Sequence, residues 1–332
     1  MVEIIEAECG RYNEEDITAG ANAIKKGNLV VFPTETVYGL GGDATSDQAC
    51  QKIFKAKGRP SDNPLIVHFN SIMEIKEYTM WDKVPFHDQL EKLWPGPLTV
   101  IAEKNDKICS SASAGLDTVG VRIPDCDLAR ELILRSGVPI AAPSANASGR
   151  PSATSIDHIQ QELGDMAEVM YKGQVPHYGI ESTVIQPVGE TCLILRPGAY
   201  TEVDLLKIFK KVEYAKIGEK VVSPGTKYRH YSPEKPLFRA EKFQIKDIIS
   251  SRHDMIPILT DQSGADMNCK YISLGNMNDP YDVSRHLYDA LRRLDSSNAS
   301  CGIIEMFPRT GYFGSIMNRI DKASTQFDAG LL

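Results

Sequence analysis

Apolar positions along the chain follow two kinds of pattern, which alternate over most of its length. Ile17, Ala21 and Ile24 recur at helical spacing after Asn13, which predicts a helix that Asn13 caps. A second helix is predicted over 46–58. Short apolar and β-branched runs predict strands at LVVF (29–32), PLIVHF (64–69), LTVIA (98–102), VGVRI (119–123), VPIAA (138–142), STVIQ (182–186) and CLILR (192–196). This alternation is typical of an α/β or α+β protein.

The pattern changes after a helix predicted over 201–211. The following segment contains Gly, Pro and Tyr but has no clear periodicity, and a structureless stretch of this length is usually a linker or functional. Beyond it, strands and helices alternate again at LFRA (237–240), 243–249, MIPILT (255–260), KYISL (270–274), 281–294, CGIIEMF (301–307) and near Ile316. We therefore predict a first domain over 1–212, a linker over 213–236 and a small doubly wound domain over 237–332.

Composition narrows the class of protein without identifying it. The 332 residues fit about two domains, and 42% hydrophobic with 24% charged residues excludes a disordered or fibrous chain. The longest apolar runs reach about five residues, which predicts no membrane-spanning helix. The first ten residues carry three Glu and no basic residue, which is unlike a secretory signal, so we expect a cytoplasmic protein.

Cysteine usage and charge exclude further classes. The seven cysteines are an odd number, widely scattered and without a CxxC pair, so neither a disulfide framework nor a zinc site is predicted. The net charge of -7 argues against a protein that wraps nucleic acid with a basic surface. A local basic pocket remains compatible with this charge.

Four cations crowd the end of the second predicted helix and its exit loop, at Lys52, Lys55, Lys57 and Arg59. Cations at a helix C-terminus are favoured by the helix dipole, which accounts for Lys52 and Lys55 as solvated charges. Lys57 and Arg59 lie on a Gly-Arg-Pro turn that leads into a buried strand, where they are placed to clamp a polyanion.

Two polar loops could complete such a site. PTETVYGLG (33–41) follows a predicted strand, where α/β proteins place ligands, and it is either a substrate pocket or a polar turn. PSANASGRPSAT (143–154) precedes a helix and is either a phosphate or ribose cradle or a loop of capping serines. The glycines of the first loop fit a dinucleotide fingerprint only weakly.

Three strand residues have polar side chains that need an explanation. Arg122 lies in a predicted interior strand, where a lone charge is costly, so it must pair with a carboxylate of the protein or of a ligand. Arg196, at the end of another predicted strand, likewise needs a carboxylate partner. His68 is either a functional histidine or a core histidine with satisfied hydrogen bonds.

Seven ordered segments resemble one known family, the threonylcarbamoyl-adenylate synthases with their YrdC-like domain. They are PTETVYGLG, KGRPSDNPL, LWPGPLT, VGVRIP, APSANASGRPS, ESTVI and LRPG, and the resemblance covers about 12–212. Its two diagnostic motifs, Lys-x-Arg and Ser-x-Asn, stand here as Lys57 with Arg59 and Ser144 with Asn146. SPGTKYRHYSP (223–233) resembles the two-domain form of the family, which implies an α+β twisted-sheet catalytic domain and a Rossmann-like second domain.

The resemblance implies an enzyme that makes L-threonylcarbamoyl-AMP and pyrophosphate from L-threonine, bicarbonate or carbon dioxide, and ATP with Mg²⁺. The product would serve proteins that transfer threonylcarbamoyl to tRNA adenosine; no membrane contact and no stable nucleic-acid binding are expected. By motif, threonine would contact Thr36, His68, Arg122, Ala142 and Ser182. ATP would contact Arg59, Asn63, Thr118, Ser144, Ser152, Arg196 and Tyr231. Lys57 and Arg59 would carry the catalytic charge.

The implied chemistry asks the protein mainly for positioning and charge stabilisation, and we identify no general base. No carboxylate cluster marks a metal site, so phosphate oxygens are expected to hold Mg²⁺. We further predict that the linker closes as a lid and places Tyr231 or His230 against the nucleotide. Two alternatives stay open, an RNA-binding module and a carbamoyl transferase that uses carbamoyl phosphate.

Overall fold

A computed structural model describes residues 2–173, 176–215 and 231–328. The first sheet has eleven strands, in the order β1-β8-β2-β3-β7-β4-β6-β5-β9-β10-β11. These strands are β1 Glu3–Glu6, β2 Val30–Phe32, β3 Gly39–Asp43, β4 Ile66–His68, β5 Leu98–Glu103, β6 Thr118–Arg122, β7 Ile140–Ala141, β8 Val169–Lys172, β9 Thr183–Val188, β10 Thr191–Arg196 and β11 Lys211–Tyr214. Parallel and antiparallel pairs are mixed, which confirms the predicted α+β twisted-sheet domain.

Eight helices connect these strands. They are α1 Glu14–Lys25, α2 Asp47–Lys57, α3 Ile72–Tyr78, α4 His87–Glu91, α5 Ser110–Ser113, α6 Asp127–Ser136, α7 Ile156–Leu163 and α8 Glu202–Leu205. Both predicted N-terminal helices are confirmed with their caps: Asn13 accepts from the Asp16 amide, Ser46 accepts from the Ala49 amide, and Gly58 ends α2 in the left-handed conformation.

Both faces of the first sheet are buried. Successive residues of β2 point to opposite faces, so that Val30 and Phe32 pack with α1 and α6 while Val31 joins the larger core on the other side. The glycines of β3 fit between these layers. A Cβ on Gly41 would lie 2.6 Å from the Phe32 ring and 2.7 Å from Ile140. This packing explains a glycine-rich strand that the sequence pattern did not reveal.

The helix predicted over 201–211 is wrong over most of its length. Only the four residues of α8 are helical, and β11 then pairs in parallel with β10, with Val212 beside Cys192. Val212 packs partly buried against the core, whereas Lys211 and Glu213 are exposed on either side of it. The pattern at this point is therefore the alternation of an edge strand.

The sequence predicted no disulfide framework, and it did not reveal the one disulfide that joins Cys9 to Cys126. β1 lies beside β8 and brings Cys9 to the start of α6, where the Gly10 amide donates to Asp127 Oδ1 at 2.7 Å. The separation of 117 residues hid this pairing. Among the described residues, Cys9, Cys126 and Asp127 form the one cluster with metal-ligating spacing, and the bond between its two sulfurs removes it as a metal site.

The second domain is a five-stranded parallel sheet in the order β14-β13-β15-β12-β16 with helices between its strands, which confirms the predicted doubly wound module. Its elements are β12 Leu237–Ala240, α9 Lys242–Ser251, β13 Met255–Leu259, α10 Asp261–Met267, β14 Ile272–Ser273, α11 Pro280–Ser296, β15 Cys301–Glu305, α12 Gly311–Ala323 and β16 Thr325–Gln326. The sequence analysis missed α10 and β16.

Within residues 2–173, 176–215 and 231–328, no helix is long and apolar enough to span a membrane.

Candidate functional site

One cleft of about 770 Å³, including the space at its mouth, collects the polar loops of the first domain. The cleft is lined by Thr34, 36–39, Lys57, Arg59, 64–66, His68, Arg122, the loop after β7 (142–152), Glu181, Ser182, Arg196 and Tyr231. Segments far apart in sequence meet here because β4, β6 and β7 lie side by side in the first sheet.

Most of the predicted site residues line this cleft. They are Thr36, Lys57, Arg59, His68, Arg122, Ala142, Ser144, Ser152, Ser182, Arg196 and Tyr231. Asn63 and Thr118 do not line it. The parallel register of β4 and β6 pairs Ile66 with Gly120 and so places Thr118 level with Pro64, a lining residue. The role predicted for each of these residues stays a prediction.

Arg122 sits at one end of the cleft, held by two groups of the PTETVYGLG loop. Its Nη2 lies 2.7 Å from a carboxylate oxygen of Glu35, and its Nη1 donates to Thr36 Oγ1 at 3.0 Å. The side chains of Arg122 and Glu35 are 5% and 6% exposed. The carboxylate required by the buried arginine is therefore supplied by the protein. Sequence reasoning missed Glu35, because it stands between two threonines in a loop read as polar.

His68 lies on the neighbouring strand at the same end. Burial, reinforced by the positive charge of Arg122, lowers the pKa of His68 to about 3, so the ring is neutral at physiological pH. Its Nδ1 is buried without a hydrogen-bond partner among the described residues. The histidine is thus a neutral polar group beside Arg122 with unused hydrogen-bonding capacity.

Lys57 joins the two diagnostic motifs. Its ammonium donates to the carbonyl of Ser144 at 2.5 Å and to the carbonyl of Asn146, while the Ser148 amide donates to the Lys57 carbonyl at 2.8 Å. Burial, with a further contribution from Arg59, lowers the pKa of Lys57 to about 7. The Lys-x-Arg turn and the Ser-x-Asn loop therefore form one hydrogen-bonded unit.

Arg59 is fixed by carbonyls of its own loop. Its Nε donates to Asn63 O at 3.3 Å and its Nη2 to Pro64 O at 2.9 Å. Burial, followed by repulsion from Arg196, lowers the pKa of Arg59 to about 10, which still leaves it charged at neutral pH. Asn63 thus reaches the site through its main chain.

Lys52 and Lys55 do not belong to this clamp. Lys52 bonds to Gly27 O and Asn28 Oδ1 on the far side of α2, and Lys55 is exposed. The interpretation of these two cations as helix-end charges is confirmed.

Arg196 and Ser182 form the opposite wall. Arg196 donates from Nε and Nη2 to the Ser182 carbonyl at 3.1 and 2.9 Å, and from Nη2 to Ser182 Oγ at 3.0 Å. The Ser182 hydroxyl also lies 2.8 Å from the hydroxyl of Thr99 on β5. Ser182 is thereby held in a fixed orientation at the cleft. Thr99 was missed because a threonine within a strand carries no sequence signal of its own.

Glu181 is a second acidic residue that sequence reasoning missed. It lines the cleft beside Ser152, whose hydroxyl donates to Glu181 Oε1 at 2.5 Å. Tyr231, the last predicted residue, lines the same wall. His230 and the lid predicted for 223–233 lie, apart from Tyr231, Ser232 and Pro233, outside the described residues.

Positive charge dominates the lining. The described lining has five cations, Lys57, Arg59, Arg122, Arg150 and Arg196, and one carboxylate, Glu181; Arg122 and Arg150 are paired with carboxylates outside the lining. Such a cleft favours an anion with several charges at the Arg59 and Arg196 end and leaves Arg122 for a second anionic group.

Two family models and several known proteins are similar to this chain. A family model described as telomere recombination matches residues 22–198, and one described as threonylcarbamoyl-AMP synthase, C-terminal domain, matches residues 199–325. The chain is 38% identical over 324 residues to the threonylcarbamoyl-AMP synthase of Bacillus subtilis, and the alignment covers 94% of each chain. It is 34% identical over 328 residues to the threonylcarbamoyl-AMP synthase of Pyrococcus abyssi, at 95% coverage of both.

A solved structure resembles the whole chain. The crystal structure of P. abyssi Sua5 complexed with L-threonine superposes with a TM-score of 0.88 at 31% identity, covering 99% of this chain and 100% of that one. The similarity extends over both domains.

Proposed function

The chain belongs to the threonylcarbamoyl-AMP synthase family, and from this premise we propose how its cleft works. The enzyme makes L-threonylcarbamoyl-AMP and pyrophosphate from L-threonine, bicarbonate or carbon dioxide, and ATP. The assignment rests on two sets of cations in the lining of the cleft: Arg122, held by Glu35 and Thr36, and the set Lys57, Arg59 and Arg196. The first suits an amino acid carboxylate, and the second suits a triphosphate.

At the threonine end, we propose that Arg122 binds the substrate carboxylate while Glu35 and Thr36 hold the guanidinium in place. His68 is neutral, so it can bond to the substrate hydroxyl or amine without repelling an ammonium group. The fixed hydroxyl of Ser182 and the small side chain of Ala142 complete the pocket.

At the nucleotide end, Arg59 and Arg196 are positioned to contact the phosphates, with Lys57 adding charge from below the Ser-x-Asn loop. Ser144, Ser152 and Tyr231 would hold the rest of the nucleotide, together with Asn63 and Thr118, which do not line the cleft. Each cation is fixed by hydrogen bonds before substrate arrives, which is the arrangement that electrostatic stabilisation requires.

In the reaction, the neutral threonine amine adds to carbon dioxide and loses one N–H proton to solvent, and an oxygen of the resulting carbamate attacks the α-phosphorus of ATP in line. The new O–P bond forms as the bond to the β-phosphate oxygen breaks, and pyrophosphate leaves with the bonding pair. Positioning of the two substrates and the charge of the clamp account for the catalysis.

We propose that Mg²⁺ enters with ATP and is held by phosphate oxygens. Glu181 is the carboxylate of the described lining, and it already accepts from Ser152 and from two side chains of the second domain. The donor set of the cleft therefore fits a metal that keeps its phosphate and water ligands. When bound, Mg²⁺ would neutralise phosphate charge alongside Arg59 and Arg196.

We further propose a cytoplasmic location, where the labile product passes to proteins that transfer threonylcarbamoyl to tRNA adenosine. The net charge of -7 agrees with an enzyme that does not itself hold tRNA stably. The relatives lend no support to an RNA-binding module or to a carbamoyl transferase that uses carbamoyl phosphate.

The assignment is tested by omitting one substrate at a time. The purified protein is incubated with ATP, Mg²⁺, threonine and bicarbonate, and pyrophosphate and the adenylate product are followed by chromatography. We expect product only when threonine and bicarbonate are both present, because the attacking carbamate needs both. Equal pyrophosphate release without threonine would exclude the synthase function, and carbamoyl phosphate is expected not to replace bicarbonate.

The pKa of Lys57 predicts a pH dependence of nucleotide binding. Burial lowers this pKa to about 7 in the free protein, and nearby phosphates raise it again, so that ATP binding takes up a proton above pH 7. The dissociation constant of ATP, measured by calorimetry, should therefore rise between pH 7.5 and 9, by up to about tenfold per pH unit. A Lys57→Arg variant, which stays protonated, should lose this slope; an identical slope would contradict the prediction.

A further inference from the structure

Glu181, in the first domain, takes most of its partners from the second domain. Its Oε2 accepts from Arg319 Nε and Nη2 at 3.2 and 3.1 Å, and from the Tyr288 hydroxyl at 2.9 Å. Tyr288 belongs to α11 and Arg319 to α12. Both side chains are completely buried, and Glu181 is 6% exposed. The carboxylate of Glu181, which lines the cleft, thus accepts hydrogen bonds from side chains of the second domain.

These contacts stabilise the negative charge of the buried Glu181 carboxylate. Burial alone would raise the pKa of Glu181, but Arg319, Arg196 and the Ser152 hydroxyl outweigh burial and lower it to about 2. The group is therefore an anion at every physiological pH, beside Ser152 and Arg196 in the cleft. Without Arg319, an unbalanced negative charge would face the place where phosphates are expected, and it would compete for Arg196.

The same two helices also fix the loops that lead into the cleft. Ser284 Oγ donates to Tyr178 O at 2.6 Å, and Ser315 Oγ donates to Gly198 O at 2.7 Å. Arg292 Nη2 donates to the carbonyl of Pro151, the residue before Ser152. Each of these carbonyls lies within four residues of a cleft residue. The second domain therefore helps to fix the position of the cleft residues in these loops.

Gly179 shows how closely this loop approaches α11. Its φ is +67°, and a Cβ at this position would lie 2.5 Å from the Arg285 Cα and 2.7 Å from the Ser284 carbonyl oxygen. Main chain meets main chain, with no room for a side chain. The loop that carries Glu181 and Ser182 is therefore seated on the helix.

Tyr231 is held by the same pair of side chains. Its ring stacks on Tyr288 with centroids 5.5 Å apart, and the Arg319 guanidinium lies 5.8 Å from the ring centroid. Two lining residues of the cleft, Glu181 and Tyr231, are thus both in contact with Tyr288 and Arg319.

A buried acidic residue, Glu305, lies at the end of β15 in the second domain's own sheet. In a doubly wound sheet a ligand binds where connections diverge, which here is between β13 and β15. The buried carboxylate of Glu305 lies at that point and accepts from the Thr260 amide and from Ser263 Oγ at 2.7 Å.

We propose that the second domain is part of the nucleotide site, with Arg319 and Tyr288 as positioning residues that neutralise and orient Glu181 behind Ser152 and Arg196. The inference rests on the proposed function, since the ligand at this wall is taken to be ATP. It assigns no contact between the second domain and threonine. One predicted threonine partner, Ser182, directly follows Glu181, so the test compares the effect on ATP with the effect on threonine.

The test uses the full-length enzyme with Arg319→Met, Glu181→Gln and the double variant. Arg319→Met should raise the KM for ATP, and the dissociation constant of a non-hydrolysable ATP analogue, about a hundredfold, with threonine affinity changed less than threefold. The double variant should recover to within about fivefold of the parent, because no unbalanced carboxylate remains. Arg309→Met is the matched control, since Arg309 lies just before α12, pairs with Asp321 and is 55% exposed.

Unchanged ATP binding in folded Arg319→Met protein would overturn the inference, and so would a double variant no better than Arg319→Met. If Arg319→Met does not fold, Tyr288→Phe removes only the hydroxyl bond to Glu181 and keeps the ring on Tyr231. It should weaken ATP analogue binding about fivefold, and an unchanged affinity would equally overturn the inference. A parent that binds the analogue but makes no adenylate would refute the proposed function alone, and one that does not bind it would refute both.

Discussion

An Arg122→Ala variant is expected to bind threonine on the order of a thousandfold more weakly than the parent enzyme. Two losses combine. The substrate carboxylate loses a charge-assisted partner, and the buried carboxylate of Glu35, 6% exposed, is left unpaired where a second carboxylate must enter. Calorimetric titration with threonine, without ATP, measures the effect directly.

The removal of Arg122 should also lower the free energy of unfolding by about 3 to 5 kcal/mol, as expected when one partner of a buried ion pair is removed. Adding Glu35→Gln should restore part of this stability but little of the threonine affinity. Arg130→Ala is a suitable control, since Arg130 lies on α6 outside the cleft and bonds to Pro124 O. A folded Arg122→Ala protein within twofold of the parent in threonine affinity would place the amino acid elsewhere.

An Arg59→Ala variant should release pyrophosphate about a hundredfold more slowly, which corresponds to about 3 kcal/mol of transition-state stabilisation. The guanidinium is fixed by the carbonyls of Asn63 and Pro64, so its remaining donors are aimed before ATP arrives. The initial rate at saturating threonine and bicarbonate, with ATP varied, separates the effect on turnover from that on ATP affinity.

Lys55→Ala provides the comparison for Arg59, because Lys55 is a cation of the same segment that is exposed and does not line the cleft. Its rate should stay within twofold of the parent. If Arg59→Ala and Lys55→Ala behaved alike, the cations after α2 would act only through general surface charge.

Local patterns predicted most of the fold correctly, since caps, helical spacing and β-branched runs act over a few residues. α1 and α2 begin after their N-caps, Asn13 and Ser46, and α2 ends at Gly58. The errors arose where a distant partner decides the structure. β11 is a strand because β10 lies beside it, and Cys9 is oxidised because β1 brings it to Cys126. No local signal contains these neighbours.

The residues of the candidate site also differ in whether the sequence alone could reveal them. Lys57, Arg59, Ser144 and Arg122 could be selected from the sequence because they stand in distinctive motifs or as a charge within an apolar strand. Glu35 and Glu181 could not, because each is an ordinary acidic residue until Arg122 or Arg319 is brought beside it. Arg319 is separated from Glu181 by 138 residues, and only the packing of the two domains reveals its partner.

That separation has a consequence for the order in which the site can be completed during synthesis on the ribosome. Glu181 emerges with the first domain, whereas its counter-charge lies on α12, the last described helix. Until α12 has emerged and packed, the nascent first domain must either leave Glu181 in water or bury it with only Arg196 and Ser152 to stabilise its charge. The nucleotide wall is therefore among the last parts of the enzyme to form, although most of its residues are translated in the first two-thirds of the chain.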